Sequence, residues 1–246
     1  MSTVHSWEEL TREEIAGLAP GALVVLPVGS TEQHGPHLAT GTDAFLAGTI
    51  ARRGAETATR PSDVLVCPTL AYGASAHHLP FGGTLSLTAE AFGLALRDLL
   101  ASVAGAGFTH VLVLNGHGGN AAACALAVTE ASRAHGLVAA TILTSDLVAG
   151  SDVPGPIRGH AGLFETSLVL ALDPSRVRTE LARPSPGGAA RTIREGLVVA
   201  DPSRWTELDG YTDTPNEASV ELGETYLAAC TRGAAAAIEA LADLRV

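Results

Sequence analysis

The stretch GSTEQHGPHLATGTD, residues 29–43, sets Glu32, His34, His37 and Asp43 within a dozen positions. Carboxylate oxygens and imidazole nitrogens are the donors that hold divalent cations, and no thiolate is among them. The stretch follows an apolar run, residues 22–28, that reads as a buried strand emptying into a loop. In an extended segment side chains two apart face the same way, so Glu32 and His34 can point at one space while Gln33 points away. Gly35 and Pro36 then turn the chain. Thr42 reads as the N-cap of a helix over residues 44–52, which puts Asp43 in the first turn. Two carboxylates and an imidazole can thereby converge on one cation. Polar loops also carry such residues simply because water solvates them, so the rest of the chain must decide.

Three later stretches bear on that decision. Residues 68–84 form a long loop with Tyr72, Ser75, His77 and His78, and its glycines let it fold over a ligand as a wall or lid. The turn NGHGGN, residues 115–120, presents His117 and the backbone N–H groups of Gly118 and Gly119 between a strand end and a helix. In GHAGLFETSLVLALDP, residues 159–174, apolar periodicity predicts a buried helix. A buried helix leaves no cheap place for an unpaired Glu165, so a metal or an arginine must meet it. His160 stands just before that helix, on a substrate-facing loop. Trp205 and Tyr211 can stack on a planar ligand or serve the core or a subunit interface.

These groups need a scaffold, and the chain supplies one. With 246 residues, 46% of them hydrophobic, it can bury the core of one α/β domain. Strands are expected over 22–28, 64–67, 110–115 and 137–143, and helices over 7–18, 88–106, 121–135 and 220–244. The near-continuous apolar strands predict a mainly parallel sheet flanked by helices on both faces. The Pro/Gly-rich stretch 183–190 is too short to divide domains. A net charge of −11 excludes nucleic acid and anionic membrane as partners and favours a small substrate. With no signal-like start and no apolar run of the roughly 20 residues a bilayer needs, a cytoplasmic protein is expected. Cys67, Cys124 and Cys230 read as free thiols. The chain has no lysine, which removes Schiff-base and P-loop chemistry.

Taken in order, Glu32-x-His34, Asp43, NGHGGN and HAGLFETS resemble the creatininase (creatinine amidohydrolase) family over residues 26–224. The resemblance implies a compact α/β subunit, a two-metal centre that hydrolyses a C–N amide bond with metal-activated water, and a homo-oligomer, with a hexamer favoured. It further implies Glu32 and His117 on one metal, His34 on the other, Asp43 bridging both, and His160 as the histidine that transfers a proton. Creatininase carries a glutamate ligand where this chain has Gly119, and Glu165 is the expected replacement, with His160 and Glu165 as the catalytic pair. Tyr72, Ser75, His78, Gly118 and Gly119 are the expected substrate contacts. Two divalent ions per subunit follow, Zn²⁺ first, with Mn²⁺ or Fe²⁺ as alternatives. Gly159 stands where creatininase has an acid, and the tryptophan that covers creatinine has no counterpart just upstream. Both departures point away from creatinine, and the NGHGGN turn is closer to those of the family's formamide deformylases and mycofactocin-precursor peptidase; the expected substrate is a cyclic amide or a formamide of a small molecule. Peptide trimming of the mycofactocin-precursor type on the same metal site is the alternative, and a non-catalytic small-molecule binding protein is the second.

Overall fold

The two longest apolar runs become the middle of a sheet. In this computed structural model, which describes residues 4–19, 21–188 and 201–244, strand β2 (Leu23–Val28) is buried along its whole length. It pairs in parallel with β4 (His110–Asn115), from Leu23 opposite His110 to Val28 opposite Asn115. Beyond β2 lie β3 (Val64–Val66) and then β1 (His5–Ser6); beyond β4 lies β5 (Val138–Leu143). The order is β1-β3-β2-β4-β5 and every pair is parallel. The chain leaves β2 for β3 on one side and comes back for β4 on the other. That reversal opens a crevice at the carboxyl ends of β2 and β4, where parallel sheets bind ligands.

Alternation along the strands feeds two cores. Leu23, Val25, Leu112 and Leu114 pack with helices α2 (Thr42–Thr57), α5 (Leu163–Leu172) and α7 (Val220–Ala242). Val24, Leu26, Val111 and Val113 pack with α3 (Ala89–Gly105) and α4 (Ala121–His135) on the opposite face. Both faces are thus covered, as the uninterrupted apolar strands require.

Several boundaries differ from expectation. The opening segment is not one helix: β1 and a 3-10 turn (Trp7–Glu9) precede α1 (Arg12–Leu18), which starts at a capping box of Thr11 and Glu14. Helix α2 begins at Thr42 and runs to Thr57, and the Thr42 hydroxyl donates back to Ala39 O instead of capping it. The loop after β3 contains a 3-10 turn (Ala76–Phe81). A short helix, α6 (Pro202–Glu207), carries Trp205. The Pro/Gly-rich stretch is described up to Gly188; its last two residues lie outside the described residues. Cys124 and Cys230 are buried free thiols and Cys67 is half-buried. Among the described residues no helix is long and apolar enough to cross a membrane.

Candidate metal centre

The carboxyl ends of β2 and β4 bring the chemistry together. Asp43, in the first turn of α2, reaches them because two glycines let that helix press onto the strand ends. A Cβ on Gly29 would lie 2.5 Å from Ala44 N, and one on Gly116 would lie 2.6 Å from Asp43 O. The α2 N-terminus also favours a carboxylate there. Glu165 sits in the first turn of α5, where its Oε2 accepts from Ala161 N at 2.6 Å and leaves Oε1 unengaged by that bond. The described donors form three overlapping groups: Glu32, Asp43 and His117; His34, Asp43 and Glu165; and Glu32, His34 and His160.

Asp43 is shared between the first two groups through different oxygens. Its Oδ1 lies 3.1 Å from His34 Nε2, and its Oδ2 lies 3.3 Å from His117 Nδ1. Glu32 Oε1 lies 3.1 Å from the same His117 nitrogen, and Glu165 Oε2 lies 3.9 Å from His34 Nε2. Backbone carbonyls hold the far side of each ring. Glu32 O meets His34 Nδ1 at 3.1 Å, Ala74 O meets His117 Nε2 at 3.2 Å, and Gln33 O meets His160 Nε2 at 2.7 Å. A carbonyl only accepts, so each imidazole donates its N–H outward and turns a lone pair towards the carboxylates.

That arrangement is unfavourable by itself. Both oxygens of Glu32 and Asp43 Oδ2 are buried without a hydrogen-bond partner, because the nearby histidine nitrogens, although close, are not aligned to donate. A buried charged acceptor left unsatisfied costs about 1–3 kcal/mol or more. Divalent cations between the oxygens and the lone pairs satisfy both sets at once, so the residues fit a metal centre.

Without a cation, protons take its place. Burial opposes a charge on His34, but Asp43, with Glu165 and Glu32, outweighs it and lifts the imidazole to about 10. Burial likewise opposes a charged His117, which Asp43 and Glu32 nonetheless raise well above its usual value. For Asp43 the tendency of burial to raise its pKa is overcome by His34 and His117, which depress it. Burial pushes Glu165 up to about 7, with His34 pulling the other way. His160 stays neutral, because burial first and the neighbouring His34 and His78 next lower it well below the usual histidine value. His78 falls to about 2 through burial and the adjacent His77.

The expected site residues divide into groups by position. Glu32, His34, Asp43, His117, His160 and Glu165 converge as described. His78, almost fully buried, puts Nε2 3.4 Å from Glu32 Oε1 and lies over His160 with ring centroids 4.1 Å apart. Ser75 is behind His117, its hydroxyl 3.3 Å from Nε2 and paired with Ser30 Oγ. Gly118 lines a cavity of about 160 Å³ that Glu165 also borders. Gly119 lies on the far side of His117: its Cβ direction leads to His117 Nε2 and Ala74 O. Tyr72 is half exposed, outside the touching group.

Other contacts were not anticipated. Gln33 does not point away. Beyond Val28 the strand pairing gives way to isolated bridges at Thr31 and His34, so side chains no longer alternate, and Gln33 Nε2 lies 2.8 Å from His78 Nδ1. Tyr211 is core, fully buried with its ring edge against His37, and stacks on no open face. Trp205 packs against the rings of His77, His78 and His160. Thr212 and Asp213 latch the His160 segment. Thr212 N donates to His160 O at 2.9 Å, and Asp213 Oδ1 accepts from Leu163 N at 2.7 Å at the start of α5. The contact spans 50 residues of sequence and no local pattern announces it.

Comparison with known proteins shows the family. The profile of the creatinine amidohydrolase (creatininase) family matches residues 8–238. The chain belongs to the creatininase family. It is 33% identical over 218 residues to the mycofactocin precursor peptide peptidase of Mycolicibacterium smegmatis, covering 81% of this chain and 82% of that protein. It is 31% identical over 255 residues to the creatinine amidohydrolase of Pseudomonas putida, covering 95% and 94%. A creatininase mutant structure of the Zn–Zn type superposes with a TM-score of 0.83 at 28% identity, covering 97% of this chain and 98% of that one. A manganese form of creatininase gives a TM-score of 0.80 at 28% identity, with the same coverage.

Proposed function

We propose that this creatininase-family protein hydrolyses a C–N amide bond at two divalent cations. Glu32, Asp43 and His117 hold one, and His34, Asp43 and Glu165 hold the other. The observation that carries the reading is the set of buried, partnerless oxygens on Glu32 and Asp43, set against imidazole lone pairs. Divalent ions bound there supply Lewis acidity, which polarises a carbonyl and lets water ionise near neutral pH. Mixed nitrogen and oxygen donors suit Zn²⁺, Mn²⁺ or Fe²⁺. Glu165 serves as a ligand beside His34, its Oε2 3.9 Å from His34 Nε2 and its Oε1 free of the Ala161 N–H bond.

His160 handles the proton. It is neutral, and with Nε2–H held by Gln33 O its Nδ1 is bare and directed at the centre, 3.4 Å from Glu32 Oε1. It takes a proton from the attacking water and returns it to the leaving nitrogen as the C–N bond breaks. Burial of His34, His160 and Glu32 keeps bulk water from competing for that proton.

The substrate class is a small amide, either a cyclic amide or a formamide, as the family resemblance implies. A second reading is peptide hydrolysis on the same centre. It is favoured by the identity to mycofactocin precursor peptide peptidases, which is slightly higher than that to the creatinine amidohydrolase. A cytoplasmic homo-oligomer, a hexamer by the family resemblance, completes the reading.

The test is a panel of ring amides, formamides and short peptides offered to the metal-loaded protein and to Asp43→Asn. Hydrolysis of one class, lost in the variant together with its metal, is expected. Ligand binding that persists without metal and without turnover would replace the enzyme with a binding protein.

A further inference from the structure

Gln33 touches both histidines that flank the centre, through two different parts of the residue. Its side-chain Oε1 accepts from Gly35 N at 2.9 Å, which fixes the amide orientation and turns the NH₂ group the other way. One N–H donates to Gly210 O at 2.5 Å, and the other lies 2.8 Å from His78 Nδ1. An amide N–H can only donate, so His78 accepts at Nδ1 and carries its own proton on Nε2. The Gln33 backbone carbonyl can only accept, so His160 carries its proton on Nε2, 2.7 Å away. The side-chain nitrogen of Gln33 also lies 3.3 Å from that His160 Nε2, a longer contact between two donors that the carbonyl outcompetes.

The two imidazoles are therefore the same tautomer, but they are presented from opposite ends. His78 places its N–H and His160 its bare nitrogen each 3.4 Å from Glu32 Oε1, neither bonded to it, with the rings stacked at 23°. We propose that Gln33 is a positioning residue that sets a hydrogen-bond donor on His78 beside a proton acceptor on His160, over one carboxylate.

The inference rests on the hydrolase reading for its chemical use. In that reaction an O–H bond of water breaks as its oxygen bonds the amide carbon, and the proton goes to His160 Nδ1. His78 Nε2–H meanwhile hydrogen-bonds the substrate oxygen that gains charge and keeps its proton. The same proton passes from His160 to the leaving nitrogen when the C–N bond breaks. Nothing is oxidised or reduced.

Long-range ¹H–¹⁵N spectra of the Zn²⁺-loaded protein read the tautomers directly, with His78→Ala and His160→Ala assigning two of the nine imidazoles. Bare Nδ1 and protonated Nε2 are expected on both residues. Gln33→Glu keeps the acceptor for Gly35 N–H but cannot donate, so it should move the His78 proton to Nδ1 while His160 stays unchanged. On the amide class that is turned over, kcat should fall at least tenfold with KM within about twofold and the Zn²⁺ content unchanged. Wild-type His78 protonated at Nδ1 overturns the proposal even if the variants fail to fold, and so does Gln33→Glu with the wild-type tautomer and kcat. A protein with the expected tautomers that hydrolyses no amide keeps Gln33 as the positioning residue and removes the hydrolase reading.

Discussion

Replacing Glu32 by glutamine should separate function from stability. In the metal-free fold the Glu32 carboxylate is fully buried and both its oxygens lack partners. A glutamine there is neutral; its oxygen in the Oε1 position can accept from His78 Nε2–H, or its NH₂ turned into that position can donate to the bare His160 Nδ1, each nitrogen being 3.4 Å from Glu32 Oε1. Removing an unsatisfied buried charge is worth about 1–3 kcal/mol, less the lost attraction to His117 at 3.1 Å. At roughly 2–4 °C per kcal/mol for a chain of this size, the metal-free variant should melt between the wild-type temperature and about 10 °C above it.

Metal should reverse the order. A ligand at a thousand times its Kd stabilises by about 4 kcal/mol. Loss of one charged donor that weakens binding a hundredfold removes about 2.7 kcal/mol of that. Thermal melts of wild type and Glu32→Gln, each after chelation and again with Zn²⁺, provide the four numbers. A metal-free variant that melts more than 5 °C below the metal-free wild type, yet gains as much from Zn²⁺, would refute the reasoning and make Glu32 a structural acid.

Two further outcomes follow from the same geometry. Gly119→Ala puts a Cβ 2.3 Å from His117 Nε2 and 2.5 Å from Ala74 O, so it should displace the ring. The expected result is about 1–3 kcal/mol of lost stability with reduced metal content, and full metal content at an unchanged melting temperature contradicts it. Metal binding should also release protons. His34, lifted to about 10, is charged at pH 8 in the metal-free protein and must lose its proton to become a ligand. Affinity for Zn²⁺ therefore rises with pH up to that value. Calorimetry at pH 8 in buffers of different ionisation enthalpy should show at least about one proton released per subunit, and a buffer-independent heat would count against the assignment.

Much of this was legible in the sequence because it depends on local pattern. The apolar runs of β2 and β4 announce a buried parallel sheet, and the polar residues that follow each run mark its carboxyl edge. The buried setting of α5 flagged Glu165 as needing a partner, and His34 and Asp43 lie beside it. Other features depend on tertiary contact and carry no local signal. Strand β1 is two residues long and exists because β3 pairs with it. Gln33 was misdirected by extending strand alternation past Val28, where the sheet pairing has ended. The Thr11 and Glu14 capping box is readable in the sequence, yet the expected helix starts at Trp7, five residues before the observed first residue, Arg12. The latch of Thr212 and Asp213 onto the His160 segment is a fold-level contact that only three dimensions reveal.

The central claim is a two-metal centre in which Asp43 is shared and Glu165 completes the second ion. Elemental analysis of protein purified without chelator, wild type beside Glu165→Ala, tests it most directly. About two metals per subunit falling towards one in the variant is the expected result. A wild type that carries no metal, and takes up none when Zn²⁺, Mn²⁺ or Fe²⁺ is added, would contradict it.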